Sequence, residues 1–287
     1  MEIVLATCRA KPQLTPGDEL LAGELRRRGA RVLVTPWEDI DSATLPAAVC
    51  LRSTWDYHRR WFDFGRWIGS FADWPVLWNP SATVLWNADK VYLRELAEAG
   101  IALPPTRWAN PGERPDYAAI LREWNAEYGV LKPRVSATAY GTHLVAADRL
   151  LDEAAWAPLD ASGSLLQAFV PEVQSEGEVS LVFVDGSFTH SIRKQPASGD
   201  YRVQSEFGGR WEPVTAAPPL RRFAETVLDA MARAWIYARV DVVHTTRGPV
   251  LMELELIEPD LFLTAGPEAA ALLAAALITR ASREAAA

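Results

Sequence analysis

Two stretches near the C-terminus, YARVDVV from Tyr237 and PVLMELELI from Pro249, set charged residues inside runs that are otherwise apolar. Successive side chains of a strand point to opposite faces, so Glu253 and Glu255 share one face of the second run, with Met252, Leu254 and Leu256 on the other. Asp241 lies among Val240, Val242 and Val243, a costly place for a carboxylate unless something positive meets it. A turn around Thr246 to Gly248 makes the two runs a hairpin that brings the three carboxylates together.

Three oxygen donors on one sheet face suit Mg²⁺, a hard cation that completes its shell with water and phosphate oxygens. The alternative is a half-exposed antiparallel strand whose glutamates simply face water.

Upstream, short apolar runs alternate with amphipathic stretches, as in a parallel α/β layer. Strands are expected at Ile3 to Thr7, Arg31 to Thr35, Ala48 to Arg52 and Val76 to Trp78, and helices at Pro16 to Arg28, Trp61 to Phe71 and Ser81 to Ala99. From Pro104 the pattern turns antiparallel, and Asp185-Gly186 between two alternating runs predicts a type I′ hairpin. A long helix, Leu220 to Ala234, precedes the acidic hairpin, and an Ala/Leu-rich helix ends the chain. The expected fold class is α/β with α+β lobes: an N-terminal lobe over 1–85, a central lobe over 86–168 and a C-terminal lobe over 169–287.

A length of 287 residues suits several lobes sharing a cleft. The net charge of -8, with no basic run, argues against a nucleic-acid partner. The apolar C-terminal tail is interrupted by Pro267 and Glu268, which argues against a membrane span. Cys8 and Cys50, both in apolar runs, read as inert thiols of a reducing compartment, and the N-terminus lacks the basic flank of a secretory signal; a cytoplasmic location is expected. A Trp-rich surface is expected to support a homodimer.

Positive counterparts to the acids are Lys90, Lys132, Lys194, Arg202 and Arg239, each near an element end. Lys132 ends a strand and opens the loop VSATAYGT, whose small residues, Ser136 among them, let backbone amides approach phosphate oxygens. The loop lacks the Gly-Lys-Ser/Thr ending of a Walker A motif, and neither G-x-G-x-x-G nor H-E-x-x-H occurs. The four histidines have no metal-ligand spacing.

The order of NADK at Lys90, VLKP at Lys132, QAFV at Gln167, IRK at Lys194, RVD at Asp241 and MELEL at Glu253 resembles the ATP-grasp superfamily over nearly the whole chain. That resemblance implies two antiparallel lobes holding ATP behind an N-terminal α/β lobe. It implies that Lys90 and Lys132 contact phosphates, that Gln167, Ala168, Phe169 and Val170 edge the adenine, and that Glu172 or Glu178 reaches the ribose. Asp241, Glu253 and Glu255 would hold one or two Mg²⁺ ions, and Lys194 and Arg239, with Arg202 nearby, would stabilise the transferring phosphoryl group. Two departures stand out: Glu255 replaces the usual Asn, and the loop after Lys132 holds one glycine, Gly141.

The segment RSTWDYH and the ending ELELIEPDLF are similar to small-molecule ligases of natural-product pathways, cycloserine-forming cyclo-ligases acting on O-ureido-serine included. Arg9, Ser53, Thr54 and Asp56 follow strands at the carboxyl edge of the first sheet, where open α/β sheets bind ligands. The implied reaction is ATP-driven C–N bond formation through an acyl phosphate on a small amino-acid-like carboxylate. The alternatives are a two-substrate ligase of the glutathione synthetase or D-alanine ligase type and a nucleotide-binding protein without turnover.

Overall fold

The computed structural model describes residues 1–41, 47–72, 74 and 76–284, so the last three residues of the C-terminal tail lie outside the described residues. The first sheet contains β1 (Glu2–Thr7), β2 (Arg31–Pro36), β3 (Ala48–Leu51) and β4 (Leu77–Trp78), all parallel, in the order β2-β1-β3-β4. The crossover helix Pro16–Arg27 starts at Thr15, whose hydroxyl accepts from the Asp18 amide, and carries acids in its first turn and arginines in its last. Leu21, Ala22 and Leu25 of that helix share a core with Leu273, Ala274 and Leu277 of the final helix, Pro267–Glu284. The end of the chain thus returns to cover its beginning.

The second sheet holds β5 (Thr106–Ala109), β6 (Tyr128–Pro133), β7 (His143–Ala146) and β8 (Ser164–Ala168) in the antiparallel order β5-β8-β6-β7. The third holds β9 (Glu178–Val184), β10 (Ser187–Gln195), β11 (Arg210–Val214), β12 (Tyr237–Thr245) and β13 (Gly248–Glu255), antiparallel in the order β11-β10-β9-β12-β13. Asp185 and Gly186 adopt φ of 48° and 81°, the left-handed pair that the Asp-Gly signal predicts. Strands β5 and β11 carry no clear alternation and escape a sequence reading; both lie at sheet edges, where β11 tolerates Pro213.

Two departures shape the site. The helix expected over Ser81 to Ala99 is broken into Ser81–Ala88 and Tyr92–Glu98. At the break the Lys90 amide donates to the Arg134 carbonyl at 2.9 Å, and the Asp89 carboxylate accepts from Arg134 Nε and the Val91 amide, each at 3.0 Å. These ties to the end of β6 outweigh local helix propensity.

The acidic hairpin holds a bulge: Asp241 pairs with Glu253, but Val242 pairs with Leu251, leaving Met252 as the extra residue. Met252 therefore leaves the face of Leu254 and Leu256, against expectation, and packs against Val170, Val173 and Val203.

The first and third sheets are stitched together. The Asn79 side chain donates to the carbonyls of Tyr237 at 2.9 Å and Leu256 at 2.7 Å, and accepts from the Ile236 amide at 2.6 Å. The Tyr237 hydroxyl lies within hydrogen-bond distance of the Leu51, Trp78 and Ile257 carbonyls. Of the tryptophans only Trp74 and Trp211 are exposed, so the expected Trp-rich surface does not form. Among the described residues no helix is long and apolar enough to cross a membrane. Cys8 and Cys50 are buried free thiols, with Cys50 pushed up to about 12 by burial.

Candidate active site

A cavity of about 380 Å³ is lined by β6, β8 and the loop after Lys132 on one side, by β9, β10, β12 and β13 on the other, and by Trp55 and Tyr57 from the segment after β3. Its lining carries seven carboxyl groups against five cationic side chains, so some acids must go without an internal counter-ion.

Across this cavity the acids and bases are interleaved. Asp241, buried between strands, accepts from Ser180 Oγ at 2.6 Å, Lys194 Nζ at 2.8 Å and Arg239 Nη2 at 2.9 Å. Burial alone would raise its pKa, but the charges of Arg239 and Lys194 prevail and hold it below the usual carboxylate range. Lys194 also pairs with Glu178 at 2.5 Å, and Arg239 also pairs with Glu255. Lys90 bridges Glu253 Oε1 at 3.1 Å and the Ser136 carbonyl at 2.8 Å. Lys132 has no ion-pair partner among the described residues, and burial lowers its pKa.

Burial, reinforced by the charges of Asp241 and Glu253, raises Glu255 to about 7 despite Arg239. Glu258 is raised to about 8, by burial and then by Glu255. A surplus of buried carboxyl groups of this kind is what a divalent cation relieves, and the register sets Asp241 beside Glu253 on one face. The three side chains do not converge on one point, however: among the described residues no three carboxylate, imidazole or thiol groups gather as a ready metal cage, because Arg239, Lys194 and Lys90 draw the acids apart.

The base side of the cavity is apolar. Gln167, Ala168, Phe169 and Val170 line it with Val173, Val203 and Met252, the last placed there by the bulge. Glu178 lines the cavity, whereas Glu172 lies outside its lining and accepts from the Thr246 amide at 3.4 Å. Arg202 reaches the cavity from the loop before β11, held by Asp200 at 2.8 Å and stacked 3.7 Å over Phe207.

The loop after Lys132 carries left-handed residues at Thr138, Ala139 and Gly141, two of which lack glycine's freedom. Its Tyr140 ring lies 4.9 Å from His58 and 5.3 Å from the Arg59 guanidinium, so the single-glycine loop is seated against the first lobe.

The four residues expected to meet the acceptor are not in the lining. Arg9 is exposed and paired with Asp39 at 2.5 Å; Asp56 accepts from Trp37 Nε1 at 3.1 Å; the hydroxyls of Ser53 and Thr54 are buried without a hydrogen-bond partner among the described residues. After β3 the chain turns, the Tyr57 amide bonding the Thr54 carbonyl at 3.0 Å, and this sends Trp55 and Tyr57 inward instead. Among the lining residues that sequence reasoning missed as site residues are Glu258, Trp55 and Tyr57, which stand in no repeating pattern, and Met252, which the alternation assigned to the opposite face of its strand.

A cleft between two antiparallel α+β lobes, its cationic side chains interleaved with the carboxylates of an acidic hairpin, defines an ATP-grasp enzyme. A family model described as the RimK-like ATP-grasp domain matches residues 95–261, and one described as the D-cycloserine synthetase DcsG N-terminal domain matches residues 3–79. The chain belongs to the RimK-like ATP-grasp family and is an ATP-dependent carboxylate–amine ligase.

It is 31% identical to the cycloserine biosynthesis protein DcsG of Streptomyces lavendulae, over 89% of this chain and 90% of that one. The crystal structure of D-cycloserine synthetase DcsG superposes with a TM-score of 0.83 at 28% identity, covering 98% of this chain and 100% of that one. A probable alpha-L-glutamate ligase of Shewanella amazonensis is 26% identical over 61% of this chain and 58% of its own length. D-alanine–D-alanine ligase of Bacillus anthracis shares the fold, with a TM-score of 0.68 at 14% identity, over 99% of this chain and 98% of that one.

Proposed function

We propose that this ligase closes a ring within one small amino-acid-like substrate, converting O-ureido-D-serine to D-cycloserine in antibiotic biosynthesis, with MgATP as the energy source. The observation that carries the nucleotide half is the cavity whose lining brings Lys90 and Lys132 together with Asp241, Glu253 and Glu255. The substrate half rests on the similarity to DcsG along almost the full length of both chains.

Three lobes, 1–85, 86–168 and 169–287, divide the work. Gln167, Ala168, Phe169 and Val170 with Met252 seat the adenine, and Glu178 the ribose. Lys90, Lys132 and the amides around Ser136 neutralise phosphate charge. Asp241, Glu253 and Glu255 would hold Mg²⁺, which would supply charge neutralisation for phosphoryl transfer.

The substrate carboxylate attacks the γ-phosphate and ADP leaves; Lys194 and Arg239, with Arg202 at the rim, stabilise the charge that develops. The tethered ureido nitrogen then attacks the acyl phosphate, loses its proton and expels phosphate; the tether raises its effective concentration. Water then cleaves the carbamoyl group from the ring nitrogen, releasing carbon dioxide and ammonia, and this completes the product. Nucleotide phosphates would take the lysines and free the carboxylates now paired with them to hold a cation.

The glutamate-ligase relatives favour a second reading, in which the amine arrives on a separate molecule. ADP release measured with O-ureido-D-serine alone, with hydroxylamine trapping of the acyl phosphate, decides between them. Turnover without a second amine supports ring closure; turnover that requires one supports the alternative. We further propose a cytoplasmic location, and a homodimer resting on the exposed Phe62 and Trp74, which light scattering checks.

A further inference from the structure

Glu258 follows β13 and lines the cavity while only 8% exposed. The cations around it are engaged elsewhere: Lys90 with Glu253, Lys194 with Glu178 and Asp241, Arg239 with Asp241 and Glu255. Among the described residues none lies within ion-pair distance of the Glu258 carboxylate. Its backbone is nonetheless fixed from the first lobe, since Trp55 Nε1 donates to the Glu258 carbonyl at 3.1 Å and Arg52 holds the Pro259 carbonyl at 2.8 Å. Tyr57 is a close neighbour: burial, and then the negative charge of Glu258, hold its phenol well above the usual value.

A buried acid with no counter-ion is costly, and this one borders a cavity whose lining also includes Trp55 and Tyr57. A buried acid at a cavity wall, free of any protein counter-ion among the described residues, is the chemistry that receives an organic ammonium through a charge-assisted hydrogen bond.

We propose that Glu258, walled by Trp55 and Tyr57, receives the ammonium group of the substrate and so selects amino acids over acids that lack the amine. The proposal rests on the amino-acid ligase reading and deepens it. In an α-amino acid the ammonium and carboxylate share a carbon, so anchoring the first at Glu258 turns the second toward Lys90 and Arg239, whose charges Glu258 also feels. Glu258 is thus a specificity-determining group, and Trp55 fixes its backbone.

The test is calorimetric binding of O-ureido-D-serine and of its deamino counterpart, 3-(ureidooxy)propanoic acid, with Mg²⁺ and a non-hydrolysable ATP analogue present. Wild-type protein is expected to favour the amino compound by about 100-fold, and Glu258→Gln to reduce that preference to about threefold. Retained affinity of the variant for the ATP analogue shows that it folds. Three results overturn the proposal: an undiminished preference in Glu258→Gln, no preference or no binding in the wild type, or a raised Mg²⁺ requirement as the variant's only defect. Glu258-dependent binding without ADP release would instead overturn the ligase reading on this substrate and leave the ammonium site standing.

Discussion

Lys90 Nζ lies 3.1 Å from Glu253 Oε1 and donates at the same time to the Ser136 carbonyl, 2.8 Å away. One ammonium thus ties the break between two helices, the loop after Lys132 and the acidic hairpin. Phosphate offers this lysine a stronger partner, and a metal ion offers Glu253 one, so nucleotide binding is expected to dissolve the pair.

Lys132, lacking an ion-pair partner, gives a clean test of the phosphate side. Lys132→Met is expected to lower kcat/KM for ATP by about 10²- to 10³-fold, the usual loss for a buried charge stabiliser. Because it removes a half-buried cation with no ion-pair partner among the described residues, the melting temperature should hold or rise. A coupled ADP assay and a thermal melt read the two effects.

Asp241 should be costly in stability as well as activity. Asp241→Asn leaves Lys194 and Arg239 facing a neutral amide, although Glu178 and Glu255 still serve them. A loss of about 3 kcal/mol is expected, at the low end for breaking a buried ion pair, together with loss of ADP release. Chemical denaturation measures the first.

Glu258 should impose a pH dependence on the unliganded protein. Its carboxyl keeps its proton to about pH 8 in the folded chain, against an ordinary value of 4.5. Between those values the folded state binds more protons than the unfolded one, so this group's contribution is full below pH 4.5 and lost as pH rises through 8. Melting curves from pH 5 to 9 should therefore fall more steeply for wild type than for Glu258→Gln.

Tyr140 seats the loop over the cleft through His58 and Arg59. Removing its ring in Tyr140→Ala gives up about 0.5–1 kcal/mol of cation–π attraction, which predicts a two- to fivefold rise in KM for ATP. Steady-state kinetics check it, with the amino-acid substrate held saturating.

Much of this architecture was legible because it is written in local periodicity. Period-two alternation revealed both long hairpins, and Asp185-Gly186 identified one turn residue by residue. The features that tune the site arise from distant contacts instead. Nothing local announces that Arg134 will break the helix at Lys90, or that a bulge will turn Met252 toward the cavity. Arg9 and Asp56 stand where an acceptor site is expected, yet Asp39 and Trp37, remote in sequence, claim them. Glu258 stands in a loop with no period to betray it.

The Asn79 and Tyr237 bonds make the first and third sheets one frame, spanning Leu51, Trp78, Leu256 and Ile257. The wall that holds Glu258, Trp55 and Tyr57 and the strands that carry Asp241 and Glu253 must therefore travel as a unit. Any closing movement on a nucleotide is therefore expected of the central sheet, a single jaw against a fixed anvil.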